Sequence, residues 1–89
     1  MPTPPALVEA MLDLARVTSH DFVVDPGCGD GRIVIAAAQR GARALGIEYD
    51  AQMVAVCRDN ALRAGVEERA AFVQGDVYTA DLTGATVLS

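Results

Sequence analysis

Lysine is absent from the chain, and its seven basic residues are all arginines scattered along its length. The net charge is −5, and aromatic residues make up only 4% of the sequence. Such a chain has neither a cationic stripe to track phosphates nor rings on which bases could stack. Direct nucleic-acid binding by this segment is therefore not expected. Cysteine is scarce too. Cys28 and Cys57 stand apart with no CxxC or Cys/His cluster, which argues against a metal site or a disulfide framework. Both read as small, half-buried, reduced thiols. The lone histidine, His20, lies in the polar stretch Thr18-Ser19-His20-Asp21 and reads as a surface turn residue. No apolar run approaches the roughly 18 residues of a membrane span. The opening Met1-Pro2-Thr3-Pro4-Pro5 lacks a basic region followed by an apolar core and a cleavage site. Secretion is not expected, and a cytoplasmic location is the default.

What is present is apolar and alternating. With 89 residues, 52% of them hydrophobic, the chain is at most one small domain. Thr3 can cap a helix over 4–16 whose first turn holds Pro4 and Pro5. Leu7, Val8, Met11, Leu12 and Ala15 make one apolar face, with Glu9, Asp13 and Arg16 off it. Residues 22–25 read as a strand, 32–40 as a helix apolar on nearly every side, and 42–49 as a second strand. Asp50 suits the N-cap of a helix over 51–64, in which Val54, Cys57 and Ala61 point inward and Asp59 and Arg63 form an i,i+4 pair. Gly41 and Gly65 suit helix ends. A third strand follows over 70–74, and 85–88 begins a fourth. Apolar strands joined by helices imply an α/β fold with a parallel sheet, covered on both faces and wound by right-handed crossovers.

The chemistry-bearing stretch is Val23-Val24-Asp25-Pro26-Gly27-Cys28-Gly29-Asp30-Gly31. It reads as a strand, a tight glycine turn and a helix N-terminus, which lets backbone approach a nucleotide-like ligand closely. In such sheets ligands sit beyond the carboxyl ends of the strands. Asp25, Glu48 and Asp76 fall at the ends of the first, second and third strands. The dinucleotide pattern G-x-G-x-x-G would want its third glycine where Arg32 stands. Asp25, two residues before the first glycine, would also repel a pyrophosphate and suits a cationic amino group instead. Glu48 can accept two hydrogen bonds from a ribose diol. A ribose and an ammonium without phosphate describe S-adenosylmethionine.

The motifs Asp25-Pro26-Gly27-Cys28-Gly29-Asp30-Gly31, Glu48 and Gly75-Asp76 resemble those of class I S-adenosylmethionine-dependent methyltransferases. The fuller wording from Asp25 to Ala38, with Gly46-Ile47-Glu48 and the Thr3-Pro4-Pro5 helix start, looks like the branch of bacterial and mitochondrial protein-lysine methyltransferases. That resemblance implies a Rossmann-like three-layer α/β/α fold, of which this chain carries the N-terminal half: about four strands in the order 3-2-1-4. It implies that Asp25 and the 27–31 turn (Gly27, Cys28, Gly29, Asp30, Gly31) hold the methionine end of the cofactor. Glu48 would bind the ribose hydroxyls and Tyr49 would pack on the adenine. Asp76 would accept from the adenine amino group, beside the backbone N–H of Val77. Pro26 departs from the aliphatic residue usual in the family and removes one N–H.

No residue of the chain stands out as a catalytic base, and methyl transfer needs no metal. The acceptor is expected to be a protein, with a lysine amine as the methylated group. Residues 1–89 read as one cofactor-binding domain that stops at the start of its fourth strand, as a fragment of a longer protein would. Otherwise that strand's open edge would invite self-association or a partner. Two other readings stand beside the methyltransferase: a cofactor-binding but inactive truncated module, and, more distantly, a nicotinamide-dependent dehydrogenase domain.

Overall fold

The apolar segments fold as the alternation requires. The computed structural model describes residues 4–76 and 84–88. Its elements are α1 (Pro5–Leu14), β1 (Phe22–Pro26), α2 (Arg32–Gln39), β2 (Arg43–Glu48), α3 (Ala51–Arg63), β3 (Ala70–Gln74) and β4 (Val87–Leu88). The strands form one parallel sheet in the order β3-β2-β1-β4, the order expected, with β4 only two residues long. This is the Rossmann-like three-layer α/β/α architecture. Among the described residues, the sheet and the helix layer on one of its faces are seen. The reason is topological: the β1-α2-β2 and β2-α3-β3 crossovers step the same way along the sheet. With one handedness, both helices must lie on the same side.

The core under that helix layer joins Val23, Val34, Ala37, Ala38, Ala44, Val54, Cys57, Ala61, Ala70 and Phe72. Burial of each of its larger apolar side chains stabilises by about 1.5–3 kcal/mol. Val24 and Ile47 are equally buried but lie outside this cluster. They alternate with Val23 and Gly46 along their strands and so face the other side of the sheet. α2 is covered as its composition demands, with Val34, Ala36, Ala37 and Ala38 buried. No helix among the described residues is long and apolar enough to cross a membrane.

Three expectations are corrected at α1. Pro4 is its N-cap residue and gives no side-chain cap, while Thr3 lies outside the described residues. The helix ends at Leu14, not 16, because Arg16 adopts a left-handed φ of 54°. There the Val17 N–H donates to the Leu12 carbonyl and the Arg16 N–H to that of Asp13, a Schellman closure without the usual glycine. The apolar face is also only partly covered. Val8 and Leu12 are buried, but Leu7 and Met11 are 52% and 39% exposed. Polar contacts complete the docking of α1 on α2: the Arg40 guanidinium donates to the carboxylates of Glu9 and Asp13, each at 2.8 Å. At the other end of the sheet Asp50 caps α3 as expected, its Oδ1 accepting from the Gln52 N–H at 2.9 Å. The Asp59–Arg63 pair forms at 2.9 Å.

Candidate functional site

The site is built where β1 and β2 end side by side. Asp25 pairs with Gly46 and Pro26 with Ile47. The ladder then continues into the turn, since the N–H groups of Gly27 and Cys28 both donate to the Ile47 carbonyl, at 2.7 and 3.1 Å. Pro26 lacks an N–H, and the turn amides after it take over the pairing. Gly27, Gly29 and Gly31 have φ of 70°, 57° and 84°, a region that L side chains rarely occupy.

These glycines do different work. A Cβ added at Gly27 or Gly29 would meet nothing within 4 Å, so the turn presents bare backbone to open space. At Gly31 it would come within 2.8 Å of the Phe72 ring. At Gly46, on the neighbouring strand, it would lie 2.7 Å from both the Cys28 Sγ and the Phe72 ring. The first two glycines leave room for a ligand above the turn. Gly31 and Gly46 let the turn settle onto the core.

Glu48, at the tip of β2, bends its carboxylate across to this turn. Oε1 accepts from the Gly29 N–H at 3.1 Å and Oε2 from the Asp50 N–H at 3.0 Å. Each carboxylate oxygen has a second acceptor site, so the group is oriented and still able to receive hydroxyls. Asp25 is the one buried acid among the described residues, at 5% exposure. Beyond β3, the Gly75 N–H donates to the Glu48 carbonyl at 3.0 Å, which brings exposed Asp76 to the same edge of the sheet. Tyr49 follows Glu48 and is 79% exposed. Val77 lies outside the described residues. The structure thus gathers Asp25, Gly27, Gly29, Glu48 and Asp76 at one edge. Cys28 and Asp30 belong to the turn through their backbone: the Cys28 side chain is buried beneath it, and the Asp30 carboxylate pairs with Arg32 at 2.9 Å.

Three supporting residues escaped the sequence reading. Phe72 of β3 fills the hollow between Gly31 and Gly46. From α3, the Cys57 thiol donates to the Gly29 carbonyl at 2.9 Å and the Asn60 amide to the Asp30 carbonyl at 3.1 Å. The signal for the last two was their i,i+3 spacing, which puts a polar Asn beside the inward face of α3. Both cysteines are free thiols and buried rather than half-buried, their Sγ atoms 3.9 Å apart. Burial, then the neighbouring Cys57, pushes the Cys28 thiol far above its ordinary pKa, and burial also raises that of Cys57. Exposed His20 sits in its turn as expected. A cavity of about 360 Å³ opens among the helices, between Pro5, Val8, Ile35 and Asn60, and reaches the turn at Asp30.

An open parallel sheet whose first glycine turn lies between two strand-tip acids defines a Rossmann-like cofactor domain of the non-pyrophosphate type. The family model of the ANTKMT methyltransferase domain matches residues 25–89. The chain is 38% identical over 91 residues to a protein-lysine N-methyltransferase of Saccharolobus islandicus, covering 100% of this chain and 56% of that protein. It is 44% identical over 79 residues to a ribosomal protein L11 methyltransferase of Serratia proteamaculans, covering 88% of this chain and 26% of that one. Among solved structures, an RNA methyltransferase from Salinibacter ruber in complex with S-adenosyl-L-homocysteine superposes with a TM-score of 0.96 at 48% identity. That match covers 99% of this chain and 58% of the other. The chain belongs to the ANTKMT methyltransferase domain family. It spans little more than half the length of the first of these relatives, and less of the second.

Proposed function

We propose that this chain is the cofactor-binding part of an S-adenosylmethionine-dependent methyltransferase that acts on protein in the cytoplasm, with a lysine amine as acceptor. The observation that carries the reading is the open Gly27/Gly29 backbone set between Asp25 and Glu48. The acids fit the cofactor: carboxylates accept from a ribose diol and from an ammonium and oppose a phosphate, and the glycines leave room above the turn. When bound, S-adenosylmethionine supplies a sulfonium methyl that an acceptor lone pair takes by in-line displacement, leaving a neutral thioether. The residues of this chain act by holding and orienting. Asp25 and the turn hold the amino-acid end, Glu48 the ribose, and Tyr49, Asp76 and Val77 the adenine. Fixing the methyl donor in this way converts a bimolecular encounter into an oriented one. A lysine acceptor must lose its proton first, which desolvation at the site would promote.

Calorimetry with S-adenosylhomocysteine tests this. Saturable binding is expected, and Glu48→Ala should weaken it at least tenfold, consistent with roughly 1.5–3 kcal/mol for hydrogen bonds to a charged group. Unchanged binding by that variant would sink the reading. The name of the Salinibacter relative favours an RNA acceptor instead. The net charge of −5 and the scattered arginines favour protein. Transfer of labelled methyl groups to separated protein and RNA fractions decides between them.

A further inference from the structure

Four successive carbonyl groups of the glycine turn, those of residues 28–31, are engaged within the protein. That of Cys28 accepts from the Gly31 N–H at 2.9 Å, and that of Gly31 from the Ile35 N–H at 2.9 Å. The two between them, of Gly29 and Asp30, are held by side chains of α3: the Cys57 thiol at 2.9 Å and the Asn60 amide at 3.1 Å. Residues 57 and 60 are a helical turn apart and meet successive carbonyls, so one rigid element holds two adjacent peptide planes. Gly29 matters most, because it joins two held peptide planes. Its nitrogen, in the plane before it, donates to Glu48, and its carbonyl, in the plane after it, accepts from Cys57. Between them its φ is 57°, which only a glycine adopts readily. A glycine turn without such holds could flip these peptides at little cost, because no Cβ restrains it.

We infer that Asn60 and Cys57 are positioning residues that fix the peptide planes of the cofactor turn from behind. They touch no ligand themselves. This rests on the turn being the S-adenosylmethionine cradle. Their contribution is entropic preorganisation: the turn is held in its binding-competent form before the ligand arrives. Removing either hold should therefore weaken cofactor binding while leaving the displacement step, which occurs at the sulfonium, as it was.

The test compares Asn60→Asp and the pair Cys57→Val and Cys57→Ser in the intact protein. Asn60→Asp preserves shape but replaces the donor by an acceptor facing a carbonyl. Cys57→Val removes the thiol donor and Cys57→Ser keeps one. By calorimetry with S-adenosylhomocysteine, Asn60→Asp and Cys57→Val should each raise Kd about five- to tenfold, the scale of one net hydrogen bond, with Cys57→Ser near the unsubstituted protein. In turnover assays KM for S-adenosylmethionine should rise in step while kcat at saturation stays within about twofold. Unchanged Kd in Asn60→Asp overturns the inference. Should that variant fail to fold, equal affinities of Cys57→Val and Cys57→Ser overturn it instead. An unsubstituted protein that binds no S-adenosylhomocysteine removes the cofactor reading, and the inference with it.

Discussion

Gly27 directly follows β1 and Gly46 lies across from Asp25 on the neighbouring β2, and the two are needed for opposite reasons. Gly27 has a φ of 70° with open space where a Cβ would stand, so alanine there costs only the left-handed strain of about 1–2 kcal/mol. That same methyl would occupy the cradle. Gly46 has no positive φ, yet its added Cβ would press 2.7 Å from the Cys28 Sγ and the Phe72 ring. Overpacking of this kind costs about 1–3 kcal/mol. Gly27→Ala should therefore lower the unfolding midpoint only modestly while weakening S-adenosylhomocysteine binding more than tenfold, as Gly46→Ala acts mainly on the midpoint. Thermal unfolding and calorimetry on the two variants separate these effects. Equal losses of affinity and stability in both would show that the turn is a packing device rather than a cradle.

Helix ends make the next scale testable. Asp50 caps α3 through the Gln52 N–H, and Asp50→Ala should cost about 1 kcal/mol of unfolding free energy. The other end of the helix layer can be improved. Arg16 closes α1 at a φ of 54°, so Arg16→Gly should stabilise by up to about 1 kcal/mol. Denaturant unfolding of the two variants should move in opposite directions, and a destabilised Arg16→Gly would mean that its side chain has a role of its own. The two ends differ in how far the sequence announces them. Asp50 before an apolar periodic segment is a local signal, as are the Gly41 and Gly65 ends, whereas the 3-2-1-4 strand order comes only from the family resemblance. Arg16 carries no such signal, because the Schellman closure is made with a residue that usually continues a helix. The same divide runs through the site. The acids at the strand tips follow from knowing where strands end. The seating of Phe72 against Gly31 and Gly46, and the reach of Asn60 to Asp30, join residues tens of positions apart. No local period encodes those contacts. The exposure of Leu7 and Met11 was hidden likewise, since periodicity gives the apolar face of α1 but not how much of it a neighbour covers.

For the whole molecule, the described residues place ionisation-sensitive links at opposite ends of the pH scale. Asp21 joins the loop before β1 to the approach to β4: its carboxylate accepts from the Thr18 N–H at 2.8 Å and from the Thr86 hydroxyl at 3.1 Å. The Thr18 amide, more than the other contacts, holds its pKa below the ordinary 3.8. A depressed carboxylate stabilises the fold above its unfolded pKa and loses that contribution as pH falls through the folded one. The acid limb attributable to Asp21 therefore lies below about pH 4. Cys28 and Cys57 act with the opposite sign. Burial raises both pKa values, so the fold holds protons that the unfolded chain releases above about pH 8.5, and stability declines as pH rises beyond it. The unfolding midpoint of the protein should thus be level with respect to these groups from about pH 4 to 8.5 and fall on both sides. Asp21→Asn, which keeps an acceptor for the Thr18 amide but cannot titrate, should flatten the acid limb alone. Cys28→Ala should shrink the alkaline limb alone, leaving the share that Cys57 contributes. An alkaline limb untouched in Cys28→Ala would place its origin in groups other than the thiol buried beneath the turn.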